Sequence, residues 1–183
     1  GSQVLVIGLD ATAPGAEQTG IDFHPGDAKR LLILGDDAAA PAVCSILEQL
    51  PTHAAEVEAV VEVPQLARKI EAGPDGHWTD SRGNRINIRW QERLGERGDR
   101  LAEAIEDHLH RFPLPRCQQD SPEEGPDDLL WDTPASPPQE FYSWIAGKST
   151  MVRRLRRILV NDHGVDRRHI AFMGYWRHGS AGM

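Results

Sequence analysis

The stretch Leu31-Leu32-Ile33-Leu34-Gly35-Asp36-Asp37-Ala38-Ala39-Ala40-Pro41-Ala42-Val43 limits what this chain can fold into more than any other. Its four leading apolar residues form an unbroken run, as a parallel strand buried on both faces requires. Gly35 ends the run, and apolar residues then recur at Val43, Ile46, Leu47 and Leu50, a helical spacing. A strand, a glycine turn and a helix bring backbone N–H groups to a helix N-terminus, where a phosphate is favoured. Asp36 and Asp37 suit the helix start as caps, and Pro41 is tolerated there because its missing N–H has no intrahelical partner. The spacing is not that of the glycine-rich dinucleotide fingerprint. Two readings therefore stand, a phosphate-binding turn and a well-capped strand–helix unit.

Similar units follow along the chain. Residues 3–8 read as a strand, with a loop through residue 30 that is consistent with the end of a preceding domain. Residues 55–63 read as a second strand, near whose end Glu62 is either a ribose-binding acid or a solvated strand-end carboxylate. A short helix is expected over 65–72 and a turn over 73–76. Residues 85–90 form the next strand, and Arg89 and Arg93 either meet an adenosine phosphate or lie on the surface. The helix expected over 100–112 carries Leu101, Ala104, Ile105, His108 and Leu109 on one face. His108 and His110 read as packing or surface histidines, since no Cys, Asp or Glu set with metal spacing accompanies them. Residues 117–138 hold five prolines, six acids and no base, the composition of a linker or insertion, with Leu129-Leu130-Trp131 as its one apolar anchor.

The C-terminal part repeats the opening logic. An aromatic-rich strand over 140–147 ends in glycine. A helix follows with Met151, Val152, Leu155, Ile158 and Leu159 inward and Arg153, Arg154, Arg156 and Arg157 mostly outward. Gly164 stops it, and residues 169–176 form a last strand. This order predicts an α/β fold, an open parallel sheet with helices on both faces. Such sheets bind ligands outside the C-terminal ends of their strands. Gly35-Asp36-Asp37, Ala146-Gly147-Lys148 and Tyr175-Trp176-Arg177 are expected to meet there, two glycine turns beside an aromatic–cationic pair.

Composition narrows the function classes. A chain of 183 residues fits one such domain. Its net charge of −8 argues against nonspecific nucleic-acid binding, although residues 148–183 are locally basic. The two cysteines, Cys44 and Cys117, form no metal-spaced pair and no disulfide framework. No apolar run approaches the ~20 residues of a membrane span, and the N-terminal residues lack a signal-peptide pattern. A cytoplasmic location without membrane insertion is the expectation.

Several of these segments together resemble one family. Residues 35–43 resemble the Gly-Asp-Glu-Thr-Ala-Leu-Pro-Ala-Ile signature of siderophore-interacting proteins, the flavin-dependent ferric-siderophore reductases. Trp90 and Arg93 resemble that family's Trp-x-x-Arg element. Trp144-Ile145-Ala146-Gly147, the arginine-rich helix, Gly164-Val165-Asp166-Arg167 and Gly174-Tyr175-Trp176-Arg177-His178-Gly179 are similar to its C-terminal region in order and spacing. Residues 4–8 resemble the strand leading out of its flavin barrel.

The resemblance implies a ferredoxin-reductase-like NAD(P)-binding domain over residues 31–183, with 1–30 the end of an N-terminal FAD-binding barrel and an insertion at about 117–138. It implies NAD(P)H and FAD as cofactors, the FAD held mainly by the barrel, and a ferric siderophore and that flavin domain as partners. Gly35, Asp36, Asp37, Ala38, Ala39, Pro41, Ala146, Gly147, Lys148, Tyr175 and Trp176 become the cofactor-binding candidates. Arg177 and Lys148 become the candidates for the anionic ferric chelate. No catalytic side chain and no resident metal ligand is expected, because electrons pass between cofactors. Two departures stand out. Ala38 replaces the family threonine, removing a hydroxyl donor, and Lys148 replaces a glutamate, reversing a charge. They leave open a non-catalytic binding module, or a reductase of free flavin.

Overall fold

The computed structural model describes residues 21–52, 54, 56–65, 76–117, 131–132 and 140–176. Strands β1 (Arg30–Asp36), β2 (Glu56–Val63), β3 (Gly76–Thr79), β4 (Arg85–Glu92), β5 (Trp131–Asp132), β6 (Phe141–Lys148) and β7 (Ile170–Trp176) form one sheet in the order β3-β4-β2-β1-β6-β7-β5. Strands β4, β2, β1, β6 and β7 run parallel, and β3 and β5 pair antiparallel at the two edges. The α/β expectation holds, but the sheet is mixed rather than wholly parallel.

The β3 edge has a local cause. The β3–β4 connection is a tight turn in which the Asp80 carboxylate accepts the backbone N–H groups of Arg82 and Asn84 and the Asn84 amide. So short a link reverses the chain, which only antiparallel pairing permits. Gly76, expected in a turn, is instead the first residue of β3. Trp131, expected as an anchor of the insertion, lies in β5 against Met173, half exposed, and donates its indole N–H to Asp22. The expected strand at 3–8, the short helix at 65–72 and the rest of the acidic insertion lie outside the described residues.

The apolar run of β1 decides where the helices go. Leu31 and Ile33 face one side of the sheet and Leu32 and Leu34 the other, all fully buried. Helix α1 (Ala40–Glu48) covers the first side with Val43, Ile46 and Leu47. Helix α2 (Asp99–Arg111), helix α3 (Ser149–Arg156) and the π-helical turn Arg157–Asp162 cover the second. Gly35 lets α1 approach β1 closely, because a Cβ there would lie 2.9 Å from Ala39 Cβ and 3.2 Å from Val43 Cγ2. Helix α1 starts at Ala40 with Ala39 at its N-cap and no side-chain cap, so Asp36 and Asp37 are not the caps the sequence suggested. Arg156 is likewise not on the outer face. It is buried, its guanidinium 5.6 Å from the centre of the Phe172 ring.

Helix α2 is held to β2 by two buried carboxylates. Glu62 accepts the backbone N–H groups of Gly98 and Arg100 at the helix N-terminus, where negative charge is favoured. Four residues back along the strand, Glu58 accepts from His108 Nδ1 at 2.9 Å and from Arg111 at the helix C-terminus. Glu62 is therefore neither a solvated strand end nor free for a ribose, and His108 is a packing histidine with a specific partner. Arg89 pairs with Glu58, and Arg93 with Glu62 and Asp37, so both arginines serve the sheet.

Two outcomes follow. Gly35→Ala should lower stability by about 1–3 kcal/mol in urea unfolding, the usual cost of overpacking a tight contact. Burial raises the Glu58 pKa, but His108 and Arg111 more than offset it and bring it to about 2. A carboxyl depressed in the folded state stabilises above its unfolded pKa and loses that contribution as pH falls. The stability gap between the wild type and Glu58→Gln, on the order of 2 kcal/mol near neutrality, should therefore shrink between about pH 4.5 and pH 2.

Candidate functional site

The parallel strands all end at one rim, and the turns singled out in the sequence meet there. Asp36, at the end of β1, is fully buried. Its carboxylate accepts the Lys148 backbone N–H at 3.0 Å, the Ala38 N–H at 3.0 Å and Arg97 Nη1 at 2.9 Å. The turn after β1 is thereby tied to the end of β6 across 112 residues of sequence. Gly147 is what admits the carboxylate. Its φ is 142°, and a Cβ there would sit 2.6 Å from the Asp36 carboxylate.

The neighbouring charges are paired in turn. Asp37 accepts from Arg93 at 2.7 Å and also from Arg97. Burial pushes the Asp37 pKa up, but the two guanidiniums outweigh it and hold the carboxyl below its ordinary range. The Arg93 pKa moves the opposite way: burial would lower it, but Glu62 and Asp37 more than offset that and raise it. Three carboxylates, Asp36, Asp37 and Glu62, thus share the cations Arg93 and Arg97.

An aromatic wall completes the rim. Trp176 ends β7, with Arg97 5.1 Å and Lys148 Nζ 5.6 Å from its ring centre. Its carbonyl accepts the Ser149 hydroxyl at 3.1 Å, a closeness that needs Gly174, where a Cβ would stand 2.6 Å from Ser149 Oγ. Trp176 Nε1 is buried and has no hydrogen-bond partner among the described residues. Tyr175 packs between Trp131 and Trp144, with ring centres 6.2 and 6.4 Å away. Burial foremost, and the charge of Asp22, push its hydroxyl up to about 12, so it stays protonated.

Gly35, Asp36, Asp37, Ala38, Ala39, Pro41, Ala146, Gly147, Lys148, Tyr175 and Trp176 all occupy this end of the sheet, and Arg177 lies outside the described residues. The loop nonetheless differs from a phosphate cradle in one respect. The Ala38 N–H donates to the Asp36 carboxylate and the Ala39 N–H to the Asp36 carbonyl, so neither is turned outward. Sequence reasoning passed over Arg97, which joins Asp36, Asp37 and Trp176. Its position just past the end of β4, in Gly95-Glu96-Arg97-Gly98 before a helix, is the signal that could have found it. No group of three or more His, Cys, Asp or Glu suited to a metal ion occurs among the described residues, and no helix there is long and apolar enough to cross a membrane.

The chain is an α/β protein, and open sheets of this kind bind ligands outside the carboxyl ends of their strands, where these glycine turns, cations and aromatic rings gather. Solved structures of similar fold include the siderophore-interacting protein from Acinetobacter baumannii, with 17% identity, a TM-score of 0.55, and 89% of this chain and 52% of that one covered. The siderophore-interacting protein SipS from Aeromonas hydrophila is 23% identical, with a TM-score of 0.50 and coverage of 83% and 52%. A siderophore utilization protein from T. fusca is also 23% identical, with a TM-score of 0.52 and coverage of 85% and 48%. This chain spans about half the length of those structures. No match to a curated protein was found. The family model for siderophore-interacting proteins matches residues 28–179, and the chain belongs to that family.

Two substitutions distinguish the buried fixings of the rim from its periphery. Asp36→Asn should cost about 2–4 kcal/mol in urea unfolding, since it leaves Arg97 and a buried N–H under-satisfied. Lys148→Met keeps that N–H and should cost less than about 1 kcal/mol, the scale of an exposed cation–π contact.

Proposed function

We propose that this chain is the nicotinamide-nucleotide side of a flavin-dependent ferric-siderophore reductase, working with a flavin-binding domain in the cytoplasm. The observation that carries the proposal is the convergence of β1, β6 and β7 on Trp176, with Lys148 and Arg97 beside it, in a chain of this family. Nicotinamide and flavin, when bound, would supply the electrons that reduce Fe(III), which the chelator then holds weakly as Fe(II).

The residues present fit such a task in part. The indole face of Trp176, with its Nε1 unpartnered among the described residues, suits a flat polar ring, and Lys148 with Arg97 suits the negative charge of a phosphate or a ferric chelate. The start of α1 fits less well, because Asp36 uses the Ala38 and Ala39 N–H groups and Ala38 brings no hydroxyl. Phosphate would accordingly be held by Lys148 and Arg97 rather than by the helix N-terminus. Asp36 acts by positioning, fixing the Lys148 backbone and the Arg97 guanidinium. Arg177 follows directly on Trp176 in sequence and stays a candidate for the chelate.

The same occupied loop supports a second reading, a module that keeps the fold and binds siderophore without nicotinamide nucleotide. Titration with NADPH or NADH while amide resonances are recorded separates the two. The first reading expects shifts at residues 146–148 and 175–176, and their absence at millimolar nucleotide would favour the second. In a protein that carries the flavin domain, Lys148→Ala should raise KM for an anionic ferric chelate by roughly tenfold, the scale of one charge-assisted contact. It should change ferricyanide reduction much less. Equal losses on both acceptors would assign Lys148 to structure.

A further inference from the structure

We infer that the chain has a second small-molecule site, at the opposite end of the sheet from the rim, that takes a neutral aromatic hydrogen-bond donor of the phenol class. It is independent of the function proposed above. The strand register places one wall of it. Asn87 lies between Glu58 of β2 and His77 of β3, and Arg85 between Glu56 and Thr79. Residues paired in register share a face of the sheet. Ile86 and Ile88 belong to the core under α1, so this row faces the other way, towards α2. The last turn of α2 supplies His108 and Arg111, and Phe112 follows. Together these residues line a cleft of about 440 Å³, in the ordinary range for small ligands.

Two acceptors on this cleft are unused. His108 is 3% exposed, and while its Nδ1 lies 2.9 Å from Glu58, its buried Nε2 has no partner among the described residues. Asn87 Oδ1 is buried and equally without one. Glu58 decides what Nε2 offers. Its ionised carboxylate can only accept, so Nδ1 carries the proton, and the neutral ring is left with a lone pair on Nε2. His77 and Thr79, at the exposed side of the cleft, meet solvent and need no such partner. Native interiors rarely leave buried acceptors orphaned, so two on one cleft point to a donor supplied from outside.

The charges say what kind of donor. Arg85, Arg89 and Arg111 are met by Glu56 and Glu58, so cations are already in excess and an ammonium is repelled. A carboxylate would set acceptors against acceptors. A hydroxyl is neutral and donates. The body that carries it is read from the guanidiniums. Arg111 Cζ lies 5.4 Å from the centre of the Phe112 ring, and the Phe112 ring centre is 5.2 Å from that of His108. Arg85, on the facing wall, is largely exposed. Planar guanidiniums stack on aromatic faces, so a flat ring extends this stack where an aliphatic chain does not. A phenol joins the two requirements, its hydroxyl on His108 Nε2 and its ring among Arg85, Arg111 and Phe112.

Three probes test this on the full isotope-labelled chain: phenol, toluene with the same ring and no donor, and benzylammonium with a charged donor. Millimolar phenol should shift residues 77, 87, 108 and 112 saturably. The His108 Nε2 resonance should lie in the range of an unprotonated nitrogen in the free protein, and phenol should move it upfield as the lone pair accepts a hydrogen bond. Toluene and benzylammonium should each bind at least roughly threefold more weakly, the scale of one ordinary hydrogen bond. Thr79→Trp, on an exposed position of the cleft wall, should abolish phenol binding by filling the cleft, with the amide resonances of residues 148 and 176 left in place. Absence of a saturable phenol response, toluene or benzylammonium binding as tightly as phenol, a protonated Nε2 in the free protein, phenol binding retained in Thr79→Trp, or shifts centred on residues 36, 148 and 176 would each overturn the proposal.

Discussion

Two glutamates inside a β-strand set much of this architecture. Glu58 and Glu62 lie on the same face of β2, about 13 Å apart at the rise of a strand. Burying them is expensive unless their charge is met. The answer is a helix laid antiparallel to the strand, its N-terminal amides on Glu62 and His108 and Arg111 of its last turn on Glu58. The ten residue steps from the N-cap Gly98 to His108 rise about 15 Å, so the helix and the strand are matched in length. The match fixes the register of α2, and with it the place of Arg97 one residue before Gly98.

From that register the rim follows. Arg97 reaches Asp36, Asp37 and the Trp176 ring because α2 starts where Glu62 ends. Asp36 then joins the turn after β1 to the backbone of β6, through a gap that only glycine leaves open. A site of this kind is built by carboxylates that serve as internal fixings. In the proposed function the ligand meets what they leave at the periphery, namely Lys148 and the indole of Trp176.

The large features were legible for a plain physical reason. A continuous apolar run, as in residues 31–34, has few alternatives to a strand buried on both faces. An apolar stripe at helical spacing, as in Leu101, Ala104, Ile105, His108 and Leu109, names its own inner face. Strand β3 escaped because four residues, the first of them in an apparent turn, show no period, and β5 is shorter still. The acids misled most. Asp36 reads as a helix cap and Glu62 as a solvated strand end or a ribose acid in a linear reading, since burial depends on partners far off in sequence. A faint signal existed: glutamates at 58 and 62 in one strand and arginines at 89 and 93 in another repeat the same spacing. Equal spacing on adjacent parallel strands is what a face-matched pair of ion pairs requires, but the pairing of the strands had to be known first.

The fixing of Lys148 by Asp36 also bears on the order in which the molecule assembles. Strands β1 and β6 are neighbours in space and more than a hundred residues apart in the chain, so their pairing closes a long loop. Helix α1 on β1 and α3 beside β6 need only local contacts and can form earlier. The clasp between the two turns therefore belongs to the last stage of folding, when the sheet is already whole. Interactions absent from the transition state govern how fast a protein opens rather than how fast it forms. The carboxylate that organises the ligand rim is thus also a latch on the lifetime of the native state.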